Sequence, residues 1–352
     1  MKTRSFGIDL LKSVSMLMVV ILHVLGVGGI LNASVEGSAA YNAAWLLESA
    51  NICAVDCFGL VSGYVLCRGH YRRSRLLSLW LRVVFESLII TAVFAAVKVG
   101  SVGTGEWFKA VTPIIHNVYW YFTAYFALFF FVPYINKMLA ALSKKEMASL
   151  AVSIVFVFVF LGNLLNNDIF FLHGGYGFLW LFCLYLLGAC MRSIEIRPKL
   201  SKYWFLLAYA LLVIIAWVIM KIMKSQASIA YTSPFVLFSA MCLLLFFRRL
   251  EFKNTRAQKL ISMLSRTSFG VYIIHTHPLI WTFLLAERFA PYLRFSVPSM
   301  LGAVILTAAA IYSVCTLCDW LAEKFFKLVR IDHLEKKVDS IGKNRRKLQN
   351  TK

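Results

Sequence analysis

Charge is scarce in this sequence, and negative charge is scarcest. Only 15% of the 352 residues are charged, with 16 acidic residues against 37 lysines and arginines. Hydrophobic residues make up 60% of the chain and the mean hydropathy is +0.74, which excludes an ordinary water-soluble domain. The charges cluster between long apolar runs. The sequence therefore predicts an all-α, polytopic integral membrane protein.

Several functional signatures are also absent. We find no Gly-rich phosphate loop, no soluble catalytic domain and no internal repeat of the transporter type. Eight cysteines are scattered through apolar runs and suggest no disulfide framework. His275 and His277 are two residues apart and would point away from each other on a helix, so no metal site is predicted. The chemistry must lie within one membrane domain.

Ten apolar stretches are long enough to cross a bilayer, which needs about 20 residues. The predicted spans are 8–30, 45–67, 76–98, 116–136, 147–166, 175–192, 203–222, 229–247, 267–286 and 297–319. With the N-terminus in the cytoplasm, 31 of the 37 lysines and arginines fall on the cytoplasmic side. Both termini are therefore predicted to be cytoplasmic, with a membrane domain over 1–330 and a basic cytoplasmic tail over 331–352.

The first span carries ionisable residues within its apolar sequence. At 100° per residue, one side of a helix would hold Asp9, Lys12, Met16, Val20 and His23. Such residues are costly in a membrane and usually face a polar cavity or a partner. Imidazole can take or give a proton near neutral pH. His23 is therefore the main catalytic candidate; the alternative is a histidine that only supports helix packing.

The second span adds Asp56 near its middle, where a carboxylate would be protonated or would need a partner. Six residues later come Ser62, Gly63 and Tyr64. The two hydroxyl groups could donate hydrogen bonds to a substrate. Alternatively, Ser62 and Gly63 form a notch for close helix packing.

The loop after the second span contains Arg72, Arg73 and Arg75. Guanidinium groups match phosphate oxygens, so the loop could hold an anionic cofactor arriving from the cytoplasm. Alternatively, it only sets the orientation of the protein. In the fourth span, Trp120 lies between tyrosines and could stack on a sugar ring, although aromatic residues are also routine at membrane interfaces.

Four motifs in register give the chain a family resemblance. They are R-x-x-G-I-D-x-L-K…V-V-x-x-x-H over 4–23, V-D-x-F-x-x-x-S-G-Y over 55–64, Y-W-Y-F…P-Y-I over 119–135 and S-x-x-S-F-G-V-Y-I-I-H over 265–275. Together they resemble the membrane proteins of acyltransferase family 3 over nearly the whole chain. Lys12 departs from the arginine usual in that family. Among members, the chain looks most like bacterial O-acetyltransferases of surface polysaccharides, such as the one that modifies enterobacterial common antigen.

The resemblance implies acyl transfer, most commonly acetyl transfer, from acyl-CoA to a hydroxyl of a surface polysaccharide or its lipid-linked precursor in the bacterial inner membrane. His23 would be the general base or would carry the acyl group covalently. Asp9 or Asp56 would orient its ring or stabilise its cation. The donor-binding candidates are Lys12, Arg72, Arg73 and Arg75, and the candidates for contact with the substrate are Ser62, Tyr64, Trp120 and His275.

Two other classes of function stay open at this stage. A transporter or flippase of lipid-linked glycans would also explain ten spans and intramembrane charges. The absence of broken-helix Gly/Pro pairs in two halves argues against it. A membrane sensor or scaffold is the third class, but the chain offers no partner domain.

Overall fold

The computed structural model describes residues 4–69, 71, 72, 74–162, 168–194 and 200–328, with side chains up to residue 325. This part of the chain is helical and contains no strand, so the all-α prediction is confirmed. The longer helices are α1 (Phe6–Leu25), α2 (Ala39–Asn51), α3 (Ala54–Leu66), α4 (Ser74–Val97), α5 (Thr104–Val111), α6 (Trp120–Ala141), α7 (Lys144–Ile154), α8 (Phe178–Ser193), α9 (Lys202–Met223), α10 (Pro234–Phe247), α11 (Thr255–His275) and α12 (Val297–Leu328).

Short helical segments connect several of these helices. They are the α-helical turns Ile30–Ala33 and Pro278–Ile280, the π-helical segments Val155–Leu161 and Trp281–Leu285, and the 3₁₀ turns His173–Gly175, Gln226–Ile229 and Ala290–Arg294. The π-helical segments matter because such wide turns occur frequently at functional sites.

Helix α1 lies at the centre of the molecule. Most of its residues are buried, and it contacts α2, α3, α10, α11 and α12. Its apolar sequence buries side chains on several faces, while Asp9 lies in the first turn, where a carboxylate is favoured by the helix dipole. The first predicted span is therefore the element around which the others are arranged.

Within the described residues, seven helical stretches are long and apolar enough to cross a membrane, and the protein is a multi-pass membrane protein. They are Phe6–Leu25, Ala39–Leu66, Ser74–Val97, Trp120–Ala141, Lys202–Met223, Gln226–Phe247 and Val297–Phe325. A bent pair of helices over 255–294 would make an eighth span, and α8 is shorter. The number ten and the cytoplasmic termini stay predictions. The tail over 331–352 and Arg73 lie outside the described residues.

The predicted ninth span, 267–286, is not one continuous helix. Helix α11 begins earlier, at Thr255, and ends at His275, after which the chain bends by 63°. Pro278 explains the break: proline lacks an N–H group and disfavours helical geometry in the residue before it, and His277 has an extended ψ of 132°. The break places His275 at a helix end and turns the π-helical segment Trp281–Leu285 towards α1.

Helices α3 and α8 approach closely through two glycines. A Cβ atom at Gly63 would overlap the carbonyl oxygen of Tyr185, and one at Gly188 would overlap that of Leu60. Small residues allow such backbone contact between membrane helices. The packing interpretation of Gly63 is therefore confirmed.

A buried ion-pair cluster joins α4 to α12. The Nε atom of Arg82 lies 3.0 Å from Oε1 of Glu86, and its Nη2 atom pairs with Asp319. Both carboxylates are buried, and a buried carboxylate needs such a partner.

Candidate active site

A cavity of about 700 Å³ runs through the interior beside α1. We name it the basic cavity, because Lys12 and Arg75 line one end of it. Its other lining residues are Met16, Val19, Leu22, His23, Gly26, Val27, Glu48, Ile52, Val55, Phe58, Ser62, Leu66, Leu79, Trp120, Tyr121, Tyr125, Phe129, Tyr176, Tyr231, Ser265, Ser268, Phe269, Tyr272 and Trp281. His23 and the basic end therefore belong to one continuous space.

The α1 face that lines this cavity follows from helix geometry. Lys12 and His23 are eleven residues apart, which returns to nearly the same side of a helix after a rise of about 16 Å. Met16 and Val19 lie between them on the lining, whereas Val20 is fully buried in the core. The predicted face of α1 therefore lines the cavity, except that Val19 rather than Val20 lies on it.

His23 is hydrogen-bonded to a second histidine. Its Nδ1 atom lies 2.9 Å from Nε2 of His275, and Nδ1 of His275 lies 2.5 Å from the carbonyl oxygen of Val271. A carbonyl oxygen only accepts hydrogen bonds, so Nδ1 of His275 carries a hydrogen. In a neutral His275, Nε2 is then the acceptor, and Nδ1 of His23 is the donor. This tautomer leaves Nε2 of His23 with a lone pair that can take a proton.

The indole of Trp281 forms the next contact of His23. The two ring centroids are 4.7 Å apart, and the rings are tilted by 58°. Trp281 begins the π-helical segment that follows the break at Pro278. His275 and Trp281 thus hold the His23 ring from two directions, and both positions depend on that break.

Asp9 does not contact His23. Its Oδ2 atom accepts a hydrogen bond from Nε of Arg4 at 2.5 Å, and its Oδ1 atom accepts one from Ser265 at 3.2 Å and lies 3.6 Å from Nζ of Lys12. Fourteen residues of helix separate Asp9 from His23, a rise of about 21 Å. The prediction that Asp9 orients the imidazole is therefore wrong, and its cationic neighbours explain why the carboxylate lies where it does.

Asp56 is also directed elsewhere. It is fully buried, and its Oδ1 atom accepts a hydrogen bond from the indole Nε1 of Trp180 at 3.0 Å. Its Oδ2 atom has no partner among the described residues, and Asp56 does not line the basic cavity. The prediction that Asp56 orients His23 is wrong: the carboxyl group connects α3 to α8, and His275 takes the orienting position.

The predicted donor-binding residues are only partly brought together. Lys12 and Arg75 both line the basic cavity, together with Ser265. Arg72 is exposed just before α4 but does not line the cavity, and Arg73 lies outside the described residues. Lys12 and Arg75 therefore form the cationic part of the lining.

The predicted substrate-contacting residues separate into two groups. Ser62 and Trp120 line the basic cavity, although the Ser62 hydroxyl donates to the carbonyl oxygen of Phe58 at 2.8 Å. Tyr64 is buried away from the cavity, where its hydroxyl accepts a hydrogen bond from Arg192 at 3.0 Å. His275 is completely buried and contacts His23 rather than the cavity. The prediction that Tyr64 and His275 contact the substrate directly is therefore wrong.

A second cavity of about 670 Å³ adjoins the first. We name it the acidic cavity, because its lining includes Glu48 and Glu287. The two cavities share the lining residues Gly26, Val27, Glu48, Ile52, Tyr176, Tyr231 and Trp281. Together they form a passage: Lys12, Arg75 and His23 line the basic cavity, Glu287 lines the acidic cavity, and Glu48 lies where the two meet.

Sequence reasoning missed Glu48, Trp281 and Glu287. Glu48 lies within the predicted second span, so the rule that selected Asp56 there also applies to Glu48. Trp281 had no such signal, because its place beside His23 depends on the bend after α11. Among the described residues, no three His, Cys, Asp or Glu side chains are grouped closely enough to hold a metal ion.

Comparison with known proteins gives one match. The model of a family described as an acyltransferase domain matches residues 5–319, which include every described residue of both cavities. No curated protein and no solved structure matches the chain.

Proposed function

Because this chain belongs to acyltransferase family 3 and is a membrane acyltransferase, we propose that it transfers an acetyl group from acetyl-CoA to a hydroxyl of a cell-surface polysaccharide or its lipid-linked precursor. The single observation that carries this proposal is the position of His23: it lines a passage with a cationic mouth, and a hydrogen bond to His275 fixes its tautomer.

The donor enters from the cationic end. CoA carries several phosphate charges, and the Lys12 ammonium and Arg75 guanidinium offer charge-assisted hydrogen bonds to them. Lys12 lies about 16 Å along α1 from His23. The long pantetheine arm can therefore extend along Met16 and Val19 and bring the thioester towards the imidazole. From the distribution of lysine and arginine, we infer that this end faces the cytoplasm. The membrane is then the inner membrane of a bacterial cell.

The reaction begins when Nε2 of His23 removes the proton of the acceptor hydroxyl. The oxygen attacks the thioester carbonyl carbon, and the tetrahedral intermediate collapses with cleavage of the carbon–sulfur bond. The relay through His275 ends at the Val271 carbonyl, which cannot become protonated at neutral pH. The proton therefore stays on His23 and is returned to the CoA thiolate, so the reaction is balanced without a further acid.

The acceptor enters from the opposite end. The acidic cavity reaches the shared residue Trp281, whose ring lies against that of His23. A sugar hydroxyl arriving there meets the imidazole from the side opposite the donor. The two substrates then converge on the same ring without competing for one mouth.

The passage would also suit a transporter or flippase of glycans. The family match favours acyl transfer. The site favours it as well, because transport needs no histidine with a fixed tautomer in the wall of the passage. Nothing in this arrangement favours a sensor or scaffold function.

The test uses purified protein in lipid nanodiscs with radiolabelled acetyl-CoA and p-nitrophenyl β-D-glucoside as a soluble acceptor. We expect His23→Ala to lower kcat by about 10²–10⁴-fold. His116→Ala is the matched control, since His116 is exposed and lines neither cavity. Equal rates for His23→Ala and the control, with both proteins folded, would overturn the proposal.

A further inference from the structure

The two ends of the passage carry opposite charge, and this limits the acceptor. We propose that the acidic cavity selects a neutral or amine-bearing sugar and rejects anionic sugars such as uronates. The inference rests on the proposed function, because it concerns the acceptor of that reaction. It is carried by Glu48, by Glu287 and by an aromatic wall.

Glu48 lies where the two cavities meet. It lines both of them, and its Oε2 atom is shielded from solvent with no hydrogen-bond partner among the described residues. An unpaired buried carboxylate oxygen is costly. Without a partner, a buried carboxyl group favours its neutral form. A sugar hydroxyl would supply the missing hydrogen bond and an ammonium group would also stabilise the ionised carboxylate, whereas a sugar carboxylate would oppose ionisation.

Glu287 lies on the loop that lines the acidic cavity. Its φ is +57°, a left-handed conformation that is strained for a residue with a side chain. The backbone holds it there: the N–H of Glu287 donates to the Val27 carbonyl at 2.9 Å, and that of Phe289 donates to Gly28 at 2.9 Å. A glycine would fit this position with less strain, whereas the glutamate adds a carboxylate to the lining of the acidic cavity.

No lysine or arginine is among the described residues that line the acidic cavity. Lys221 and Lys224 line a separate small cavity nearby, together with Glu36. His173 is the one other titratable side chain, besides the tyrosines and the two glutamates, on the described lining. An anionic acceptor would therefore approach the exposed Glu287 carboxylate and the buried Glu48 carboxyl group, with no lysine or arginine on the described lining to balance its charge.

Aromatic rings form the wall between the cavities. The Tyr176 ring centroid lies 4.9 Å from that of Trp120 and 4.9 Å from that of Tyr231. Trp120 and Tyr231 are stacked, with their centroids 6.1 Å apart. Such faces suit the apolar side of a sugar ring, and their negative potential also attracts an ammonium group.

The experiment compares three p-nitrophenyl glycosides that share the gluco ring and the β linkage and differ in charge: β-D-glucoside, 2-amino-2-deoxy-β-D-glucoside and β-D-glucuronide. The nitrophenyl group quenches indole fluorescence, and Trp45 and Trp281 line the acidic cavity. Dissociation constants are measured with wild-type protein in nanodiscs without acetyl-CoA. Like charges within a few ångströms at partly solvated sites should weaken glucuronide binding by about tenfold or more.

Three variants locate the effect. Glu48→Gln combined with Glu287→Gln should bring the glucuronide to within about twofold of the glucoside, because the repulsion is removed. Glu287→Gln alone, on an exposed loop where folding is not at risk, should close part of the gap. Glu36→Gln is the matched control on the neighbouring cavity, and it should keep the full gap.

Three results would overturn the proposal: equal wild-type affinity for glucuronide and glucoside, a gap that survives both Glu287→Gln and the double substitution, or no saturable quenching by any glycoside. Acetyl-CoA is then added to the same samples. If the binding order holds but no glycoside is acetylated, the selectivity proposal is supported and the proposed acetyl transfer is the claim that fails.

Discussion

At the level of single residues, the neutral partner of His23 defines what its imidazole can do. A carboxylate in the place of His275 would stabilise the imidazolium cation and hold the proton more tightly. A second imidazole orients the ring and fixes the tautomer without adding negative charge. His23 can therefore take a proton from the acceptor and return it to the leaving thiolate within one turnover.

A substitution series at His275 tests this positioning role. His275→Ala should lower kcat by about 10- to 100-fold, because the His23 ring loses the hydrogen bond that aligns it. The KM for acetyl-CoA should stay unchanged. His275→Gln offers a carbonyl oxygen as acceptor and should restore part of kcat. A purely structural role would instead lower the amount of folded protein and give no recovery with glutamine, as judged by size-exclusion chromatography beside the kinetic assay.

The cationic mouth gives a second prediction. Arg75→Gln should raise the KM for acetyl-CoA by about tenfold with little change in kcat, because a charge-assisted contact to phosphate is lost before the reaction begins. Lys145→Gln is the control, since Lys145 is exposed and lines neither cavity. An unchanged KM for Arg75→Gln would mean that the basic loop only sets orientation in the membrane.

The positive φ of Glu287 gives a prediction about stability. Glu287→Gly should stabilise the folded protein by about 1 kcal/mol, because glycine occupies the left-handed region without a Cβ penalty. The midpoint of thermal unfolding should rise while the preference against glucuronide weakens. A lower midpoint would show that the Glu287 side chain is needed for the loop itself.

His23 could be selected from the sequence, whereas its partner could not. An ionisable residue in an apolar span is visible without a structure, and helix spacing placed Lys12 on the same side. Asp9 and Asp56 satisfied the same rule, but both are bound elsewhere. The Asp9 carboxylate contacts Arg4, Lys12 and Ser265. The Asp56 carboxyl group accepts a hydrogen bond from Trp180. Which carboxylate meets which neighbour depends on helix contacts distant in sequence, and one sequence does not contain them.

At the level of elements, the lengths of the apolar runs predicted where the helices lie, but the bend at Pro278 determines which residues surround His23. The predicted ninth span joins two segments that the structure separates at Pro278, because both are apolar and hydropathy is insensitive to a bend. The bend brings His275 and Trp281 to the same ring. The sequence shows the proline, but not the direction in which the chain continues after it.

The contact between α3 and α8 gives a prediction for helix packing. Gly63→Ala should destabilise the protein by about 1–3 kcal/mol, because the added methyl group overlaps the Tyr185 carbonyl and forces the helices apart. Gly302→Ala in α12 is the matched control: nothing lies within 4 Å of its new Cβ atom, and helix propensity should make it neutral or stabilising. Equal thermal midpoints for the two variants would contradict the close approach.

At the level of the whole molecule, charged residues are unevenly distributed both across the membrane and along the passage. Lysine and arginine are predicted to crowd one face of the membrane, and the passage repeats this division with Lys12 and Arg75 on the lining of the basic cavity and Glu287 on that of the acidic cavity. The proposed polyanionic donor would therefore be attracted to the basic cavity and repelled from the acidic one. Two substrates from opposite sides of a membrane can meet at His23 without either crossing it.

Sided proteoliposomes test this account most directly. The protein is reconstituted in one orientation, with cellotetraose sealed on the acidic side and acetyl-CoA supplied on the basic side only, so neither compound crosses the bilayer. We predict acetylated cellotetraose in this arrangement with wild-type protein, and none when acetyl-CoA is supplied on the acidic side only. Product that forms only when both substrates share one side, or an undiminished yield with His23→Ala, would contradict the account.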